Sequence, residues 1–355
     1  MMLGMVIAGD LSEVERRVWD AFPSGRLVEF GTGKAEDDDP AGGEGWGLDR
    51  QMRAEVLAAL LCGAAGVEPG QTGEIYIARA RILGKLELLG ATAKHRLRLT
   101  ECYVADGIDL SEATTRTLDL RGCYVGPMGV CGAKINGAFD LGGAHLQGMD
   151  GPALDGRNLS VTGGMFCDEG FQADGEINLL GASIGSQFSL SGAHLDGNGG
   201  PALRAQSLTV TGAMLCGEGF RADGTIDLLG ADIGGEFSLS GAHLDGKDGP
   251  ALSAQSFTVT GDMRCDRGFQ ADGEIYLAGA SIGSQLSLSG AHLDGKGRGA
   301  LDAQRLSVAA DMFCDEGFRA DGPVNLLGAS IGGQLSFSGA HLNGRDGPAL
   351  TRFNE

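Results

Sequence analysis

From about residue 75 to residue 350, apolar or small residues occur in pairs separated by a single residue, as in Ile177/Leu179 and Ala182/Ile184. Most pairs begin five or six residues after the previous pair, and eight of them fill 49 residues. This spacing is neither the 3.6-residue period of a helix nor the sustained alternation of a long strand. It predicts very short strands with two residues inward and one outward, each followed by a turn. Four turns of about ninety degrees close one square coil, so eight pairs make two coils.

The string GAHL recurs with a period of 49 residues, and four cysteines keep the same interval. The histidines are His145, His194, His243, His292 and His341, and the cysteines are Cys167, Cys216, Cys265 and Cys314. Between residues 75 and 342 we count 46 inward pairs, which predicts eleven to twelve coils. Stacked at a strand spacing of about 4.8 Å, they would form a rod roughly 55 Å long.

Residues 1–72 do not repeat and are predicted to form an N-terminal helical cap. SEVERRVWDAF (12–22) and LDRQMRAEVLAALLCGA (48–64) have the pattern of amphipathic helices, and the acidic, Gly-rich segment KAEDDDPAGGEGWG (34–47) is predicted to be a mobile loop. The leucines Leu57, Leu60 and Leu61 are predicted to cover the first coil. The β-helix then occupies residues 73–355, with 49-residue double-coil units from about residue 128.

At the other end, only NGRDGPALTRFNE follows Leu342, and this segment has no helical pattern. The last coil would therefore present apolar side chains to water, namely Leu335, Phe337, Ala340 and Leu342. Open strand edges favour pairing with another chain, which predicts a homodimer formed end to end through the C-terminal coil.

The net charge of −20, from 27 Lys+Arg and 47 Asp+Glu, excludes broad electrostatic binding to DNA or to anionic membranes. No run of 18 apolar residues occurs, so no membrane span is expected. The N-terminus lacks the basic start of a signal peptide, and the eight cysteines form no C-x-x-C pair. These features predict a reduced, cytoplasmic chain that binds a protein.

Two outward columns are the candidate site. The five GAHL histidines form the first, two coils apart, with Gln172, Arg221, Gln270 and Arg319 between them. The second column is Asp174, Asp196, Asp223, Asp245, Asp272, Asp294 and Asp321. The histidines either bond to a neighbouring turn or form a pH-sensitive stripe. The aspartates either accept backbone N–H groups in Asp-Gly turns or form an acidic binding stripe.

No catalytic motif is found. The sequence contains no P-loop, no H-E-x-x-H and no G-x-S-x-G, so neither catalytic nor metal-binding residues nor a cofactor are predicted. The repeated Met-x-Cys strings, such as Met214-Leu215-Cys216, vary only at the middle residue. This variation places Met and Cys inward as packing residues and the middle residue outward.

The strings GASIGS, FSLSGAHLDG, FRADG and IDLLGADIGG resemble the pentapeptide-repeat family. The resemblance implies an all-β solenoid, a right-handed quadrilateral β-helix. This chain departs from the family pattern in its six-residue steps and in two longer corners per unit, Asp196–Ala202 and Gly217–Gly219.

Some members of that family are acidic, dimeric rods that mimic DNA and occupy the DNA site of gyrase, protecting it from inhibitors. The resemblance therefore implies a non-enzymatic protein-interaction rod, with DNA gyrase or a related topoisomerase as the specific partner. One alternative is a scaffold or adaptor that binds through the N-terminal head. Another is an enzyme, because long relatives of this repeat type are sometimes labelled membrane-associated oxidoreductases.

Overall fold

The computed structural model describes residues 10–149, 151–344 and 348–351. They form a parallel β-solenoid of about 12 coils, in which each short strand pairs with the equivalent strands one coil before and one coil after. The strand His194–Asp196, for example, lies between Gln172–Asp174 and Arg221–Asp223, and both pairings are parallel. The predicted all-β solenoid is confirmed, including its number of coils.

Four columns of strands define four sides, numbered in chain order within a coil. Side 1 consists of Leu86–Glu87, Ile108–Asp109, Met128–Gly129, Leu154–Asp155, Ile177–Asn178, Leu203–Arg204, Ile226–Asp227, Leu252–Ser253, Ile275–Tyr276, Leu301–Asp302, Val324–Asn325 and Leu350–Thr351. Side 4 consists of Gln51–Arg53, Arg81–Leu83, Tyr103–Val104, Tyr124–Val125, His145–Gln147, Gln172–Asp174, His194–Asp196, Arg221–Asp223, His243–Asp245, Gln270–Asp272, His292–Asp294, Arg319–Asp321 and His341–Asn343.

Sides 2 and 3 belong to one continuous sheet. Its cap-proximal strands are Val28–Glu29, Glu74–Ala78, Arg96–Thr100, Thr114–Asp119 and Lys134–Asp140. Beyond them, side 2 consists of Ser160–Val161, Ser183–Ile184, Thr209–Val210, Asp232–Ile233, Thr258–Val259, Ser281–Ile282, Ser307–Val308 and Ser330–Ile331. Side 3 consists of Met165–Phe166, Phe188–Ser189, Met214–Leu215, Phe237–Ser238, Met263–Arg264, Leu286–Ser287, Met312–Phe313 and Leu335–Ser336.

The core consists of the inward pairs, as the two-in, one-out pattern predicts. Met214 and Cys216 are wholly buried, whereas Leu215 between them is partly exposed on side 3. Cys167, Cys216, Cys265 and Cys314 are free thiols, and burial raises the pKa of each thiol above its ordinary value. These cysteines are packing residues, as predicted, because a buried thiol with a raised pKa is a poor nucleophile.

Coil length alternates along the repeated region. Side-1 strands begin at Leu154, Ile177, Leu203 and Ile226, so successive coils take 23, 26 and 23 residues. The 26-residue coil contains the longer corner Asp196–Ala202, and the following 23-residue coil contains the corner Gly217–Gly219. Asn198 and Glu218 in these corners adopt positive φ angles of 50° and 51°, and each precedes a glycine. The two longer corners predicted for each unit are thus present, one in each of its two coils.

The N-terminal cap covers the first coil and also extends its sheets. Its α-helices are Glu13–Ala21, Ala35–Asp38 and Ala54–Leu61, and its 3₁₀ helices are Phe22–Ser24, Pro40–Gly45 and Leu48–Arg50. Ser12 accepts a hydrogen bond from the backbone N–H of Glu15, whose side chain accepts from that of Ser12, in a capping box. Leu57, Leu60 and Leu61, predicted to cover the first coil, are at most 1% exposed.

The predicted helix over residues 48–64 is wrong in its first part. Gln51–Arg53 is a strand that pairs with Arg81–Leu83, and the helix begins at Ala54. Val28–Glu29 likewise pairs with the strand Glu74–Ala78. The cap therefore supplies partners for the first strands of two sheets, so their backbone edges are hydrogen-bonded rather than open.

The acidic segment is folded, contrary to the predicted mobile loop. Asp38 is 5% exposed, accepts hydrogen bonds from the backbone N–H groups of Thr32 and Gly33, and pairs with Arg50 at 2.8 Å. Although burial opposes it, these bonds lower the pKa of Asp38 to about 2. Because the cap shares sheets with the solenoid, the division of the chain near residue 72 stays a prediction.

Candidate functional site

Side 4 carries the two predicted columns, because most of its strands have three residues instead of two. The first and third residues point outward, and the middle residue, such as Leu195, is buried. In the first position, His194 lies between Gln172 and Arg221, and the same alternation continues to His341. The histidine column (His145, His194, His243, His292 and His341) is therefore placed as predicted, with its members two coils apart.

The third position holds the aspartate column in unbroken parallel register. Gln147 precedes this column and Asn343 follows it. Its members are Asp174, Asp196, Asp223, Asp245, Asp272, Asp294 and Asp321. Seven successive coils thus present one carboxylate each at roughly 4.8 Å intervals along one side of the solenoid.

Each of four histidines bonds to the aspartate of the next coil. The Nε2 atoms of His145, His194, His243 and His292 lie 2.7, 2.8, 3.2 and 3.0 Å from an aspartate Oδ2. Their partners are Asp174, Asp223, Asp272 and Asp321. These bonds join side chains of adjacent side-4 strands, so the predicted bond to a neighbouring turn and the predicted pH-sensitive stripe both stay predictions. The described residues contain no cluster of three or more metal-ligating side chains.

The remaining aspartates have a different role. Asp196, Asp245 and Asp294 each accept a hydrogen bond from the backbone N–H two residues ahead, at 2.8–2.9 Å. These three lie in the histidine-bearing coils and support the longer corners, as the Asp-Gly turn prediction requires. The sequence suggested one role for all seven, whereas the structure divides the column into corner-supporting and histidine-bonded aspartates.

Two lysines contact the aspartate column, and neither was predicted from the sequence. Lys247 Nζ lies 2.8 Å from Asp223 and 3.1 Å from Asp245, and Lys296 Nζ lies 2.6 Å from Asp245. The signal was the position after Asp-Gly in the longer corner, which is Asn198 in one unit and a lysine in the next two. These lysines offset the repulsion expected among stacked carboxylates.

The pKa values of the bridged carboxyls reflect this pairing. Hydrogen bonds from Lys247 and then from His194 lower the pKa of Asp223. Burial raises the pKa of Asp245, but hydrogen bonds from Lys296 and Lys247 outweigh burial and bring it to about 2. Side 4 is therefore a mixed-charge surface in which carboxylates outnumber cations, rather than an uninterrupted acidic stripe.

The first coils of side 4 are aromatic and lie under the cap. Tyr103 stacks on Tyr124 at 5.3 Å between ring centroids, and Tyr124 meets the ring of His145 edge-on at 5.1 Å. The 3₁₀ segment Pro40–Gly45 packs here, and a side chain at Gly43 would collide with Tyr103. A cavity of about 270 Å³ separates this segment from Tyr124 and His145.

A larger concavity, of about 650 Å³, lies at the corner between sides 4 and 1 beside the exposed Met149. Its charged groups bind one another: Arg157 pairs with Asp155 at 2.8 Å, and Glu176 pairs with Arg204 at 2.9 Å. Because these groups are already paired, the concavity does not offer the convergent free polar groups of a small-molecule site.

Comparison with family models, with curated proteins and with solved structures finds no match for this chain. The resemblance to pentapeptide repeats therefore stays a prediction, while the parallel β-solenoid, with coils of about 23 residues, rests on the structure. No helix in the described part of the chain has the length and apolar character needed to cross a bilayer.

Proposed function

We propose that this chain is a protein-interaction rod that binds its partner through side 4. The observation that carries the proposal is the repetition of one outward group, a histidine bonded to the aspartate of the next coil, at four places two coils apart. A partner that binds several of these groups would gain affinity from each additional unit it contacts.

The filled interior supports a surface function. Inward side chains such as Leu195, Phe188 and Ile184 are 0% exposed, so the coils enclose no room for a substrate. The chemically varied groups all lie outside, in columns set by strand register. Such a surface suits recognition of an extended or repetitive partner surface, as other solenoids provide.

Mimicry of DNA is a second candidate function, with DNA gyrase as the partner. It is favoured by the unbroken register of the seven-member aspartate column and by the net charge of −20. Carboxylates at regular intervals can occupy basic groups that otherwise hold phosphates. Lys247, Lys296, Arg221 and Arg319 lie along the same side, so mimicry depends on the aspartates that outnumber them.

We also propose that the C-terminal end pairs with a second copy of the chain. Leu335 and Leu342 are only partly buried, whereas Leu286 and Leu293, their equivalents two coils earlier, are 0% exposed. A second copy that packs on this coil would bury these apolar groups.

The test of the side-4 proposal replaces Asp196, Asp223, Asp245 and Asp272 by Asn. A matched control replaces Asp227, Asp232, Asp302 and Asp311, which lie on other sides, by Asn and changes the net charge equally. Gyrase supercoiling, with and without an inhibitor, is measured with each protein. Mimicry predicts that wild type and control inhibit gyrase or protect it, and that the side-4 variant does neither.

An equal effect of the two variants, or no effect of wild type at micromolar concentration, would exclude gyrase mimicry. Proximity labelling in the native host then tests the broader proposal with the same three proteins. Partners lost only from the side-4 variant support the interaction rod. Partners kept by both variants would place the binding surface elsewhere, as in the adaptor alternative.

A further inference from the structure

We infer that the cap-proximal coils carry a second interaction surface, a cation patch on sides 2 and 3 that binds a short carboxylate-rich segment of a protein partner. The patch consists of Lys94, Arg96, Arg116 and Lys134. It is independent of side 4, because none of its residues belongs to the histidine or aspartate columns.

The charge of the chain is unevenly distributed. Residues 79–134 contain nine Lys+Arg and six Asp+Glu, which makes this stretch net positive. Residues 1–78 contain six Lys+Arg and fourteen Asp+Glu, and residues 135–355 contain twelve and twenty-seven. A net-positive stretch between two strongly negative ones produces a local field that the overall charge conceals.

Strand register brings these cations together. Thr92 pairs with Thr114, and Thr114 pairs with Lys134, so three successive coils are adjacent at this position. Lys94 lies two residues after Thr92, and Arg116 lies two residues after Thr114. Neighbouring coils are roughly 4.8 Å apart. Burial lowers the pKa of His95, and the charges of Arg116 and Lys94 lower it further, which also indicates that the two cations are close to this ring.

All four side chains are exposed, and within the described residues none of them lies within ion-pair distance of a carboxylate. The nearby arginines Arg98 and Arg121, by contrast, both form ion pairs with the buried Asp119, at 3.0 and 3.1 Å. The patch cations are therefore open to an external anion.

Carboxyl groups also lie near the patch. Glu74 is opposite Arg96 in the sheet, but its side chain is only 15% exposed and contacts Arg98 at 3.8 Å. Asp119 is buried and already held by two arginines. Glu112 is exposed at the corner that precedes Thr114. Glu68 is also exposed, and the neighbouring Val67 lies beside His95 at Gly73. Four exposed cations against these two exposed carboxylates leave the patch net positive.

Its size and surroundings favour a short acidic peptide over a nucleic acid. The patch covers three coils, on the order of 10 Å along the solenoid. A longer polyanion would extend over the negative cap or over the negative coils beyond residue 135 and would be repelled there. The planar guanidinium groups of Arg96 and Arg116 can each bind a carboxylate through two hydrogen bonds.

The test measures binding of a fluorescein-labelled poly-glutamate peptide to the full chain by fluorescence anisotropy, at about 50 mM and about 300 mM salt. The patch variant is Lys94→Gln/Arg116→Gln. The control variant, Arg298→Gln/Arg305→Gln, removes the same charge from exposed positions outside both the patch and the side-4 columns. Circular dichroism verifies that both variants fold.

We expect the patch variant to weaken peptide binding roughly tenfold, and the control to weaken it less than about twofold. An oligothymidylate of the same charge should bind more weakly than the peptide. Equal losses in both variants, or no peptide binding at the lower salt, would overturn the proposal. Tighter binding of the oligothymidylate would overturn it in favour of a nucleic-acid partner.

Discussion

At the N-terminal end of the solenoid, Leu57 and Leu60 are wholly buried, and the cap strand Gln51–Arg53 hydrogen-bonds Arg81–Leu83, the next strand of side 4. At the C-terminal end, Leu335 and Leu342 occupy ordinary inward positions but are only partly buried. The inward residues have the same chemistry at both ends. What differs is that, among the described residues, only the N-terminal end has a covering element.

This difference shows that the burial of a coil's inward side chains depends on the coil or cap that lies next to it, and not on the coil's own sequence. The side-4 strand His292–Asp294 has coils on both sides, and Leu293 within it is 0% exposed. The equivalent strand His341–Asn343 has the same central leucine and pairs only with the preceding coil among the described residues. Stability in such a structure is largely a sum over neighbouring coils, so an end has to be stabilised by something else.

The largest expected effect comes from matched leucine truncations at the two ends. Leu60→Ala removes a fully buried side chain under the cap and should lower the free energy of unfolding by about 2–5 kcal/mol. In a monomer, Leu342→Ala removes a partly exposed side chain and should cost less than about 1 kcal/mol. Chemical denaturation measures both, and hydrogen exchange of Gln51–Arg53 and His341–Asn343 locates each loss.

The same pair of variants tests the proposed dimer. If a second copy covers the C-terminal end, Leu342→Ala should cost as much as Leu60→Ala, and its cost should fall on dilution. If the two variants lose the same free energy of unfolding and the loss does not depend on protein concentration, both the comparison of the two ends and the dimer are contradicted.

An intermediate effect is expected from the ion pairs near the two ends. Arg50→Ala removes the closer of the two arginines that pair with the buried carboxylate of Asp38 and leaves Arg79 at 3.9 Å. It should lower the melting temperature of the cap by several degrees. Arg319→Ala removes a cation that is 58% exposed and should change stability little. The helical circular-dichroism signal reports the cap, because every α-helix among the described residues lies there. If Arg50→Ala and Arg319→Ala lower the melting temperature of the cap equally, the acidic segment does not stabilise the cap.

The smallest effect is a dependence of cap stability on acid pH. Hydrogen bonds from Arg53 and the backbone outweigh burial and lower the pKa of Glu15 to about 2, and the pKa of Asp38 is equally low. A carboxyl whose folded pKa lies below its unfolded value stabilises fully above the unfolded value of about 4 and loses that contribution as the pH falls towards 2.

Thermal unfolding followed by the helical signal should therefore show the cap melting at lower temperature near pH 3 than at pH 6. Glu15→Gln should be less stable at pH 6 and should reduce the difference between the two pH values. An unchanged pH dependence in this variant would exclude Glu15 as its source.

The sequence was sufficient for the coils because their signal is local. Pairs such as Phe188/Leu190 indicate which residues face inward, and the 49-residue period aligns the histidine and aspartate columns. Strand Gln51–Arg53 was missed because it lies within a helix-like stretch and is a strand only through its pairing with Arg81–Leu83.

The candidate site was predicted in position but not in bonding. A histidine and its aspartate, such as His194 and Asp223, are 29 residues apart in the chain, and Lys296 reaches an aspartate 51 residues away. Contacts of this length have no sequence signature beyond the register itself. The cation patch was hidden for a related reason, because the total charge averages over regions of opposite sign.

The double-coil repeat has a consequence for any molecule that binds one unit of side 4. The unit recurs every 49 residues, so a ligand that contacts only the histidine and its aspartate can bind at four equivalent positions and shift between them. Four equivalent positions lower the free energy of the bound ensemble by RT ln 4, about 0.8 kcal/mol. Occupancy would then follow a lattice-type isotherm, in which a ligand longer than one unit excludes its neighbours and the last vacancies are the hardest to fill.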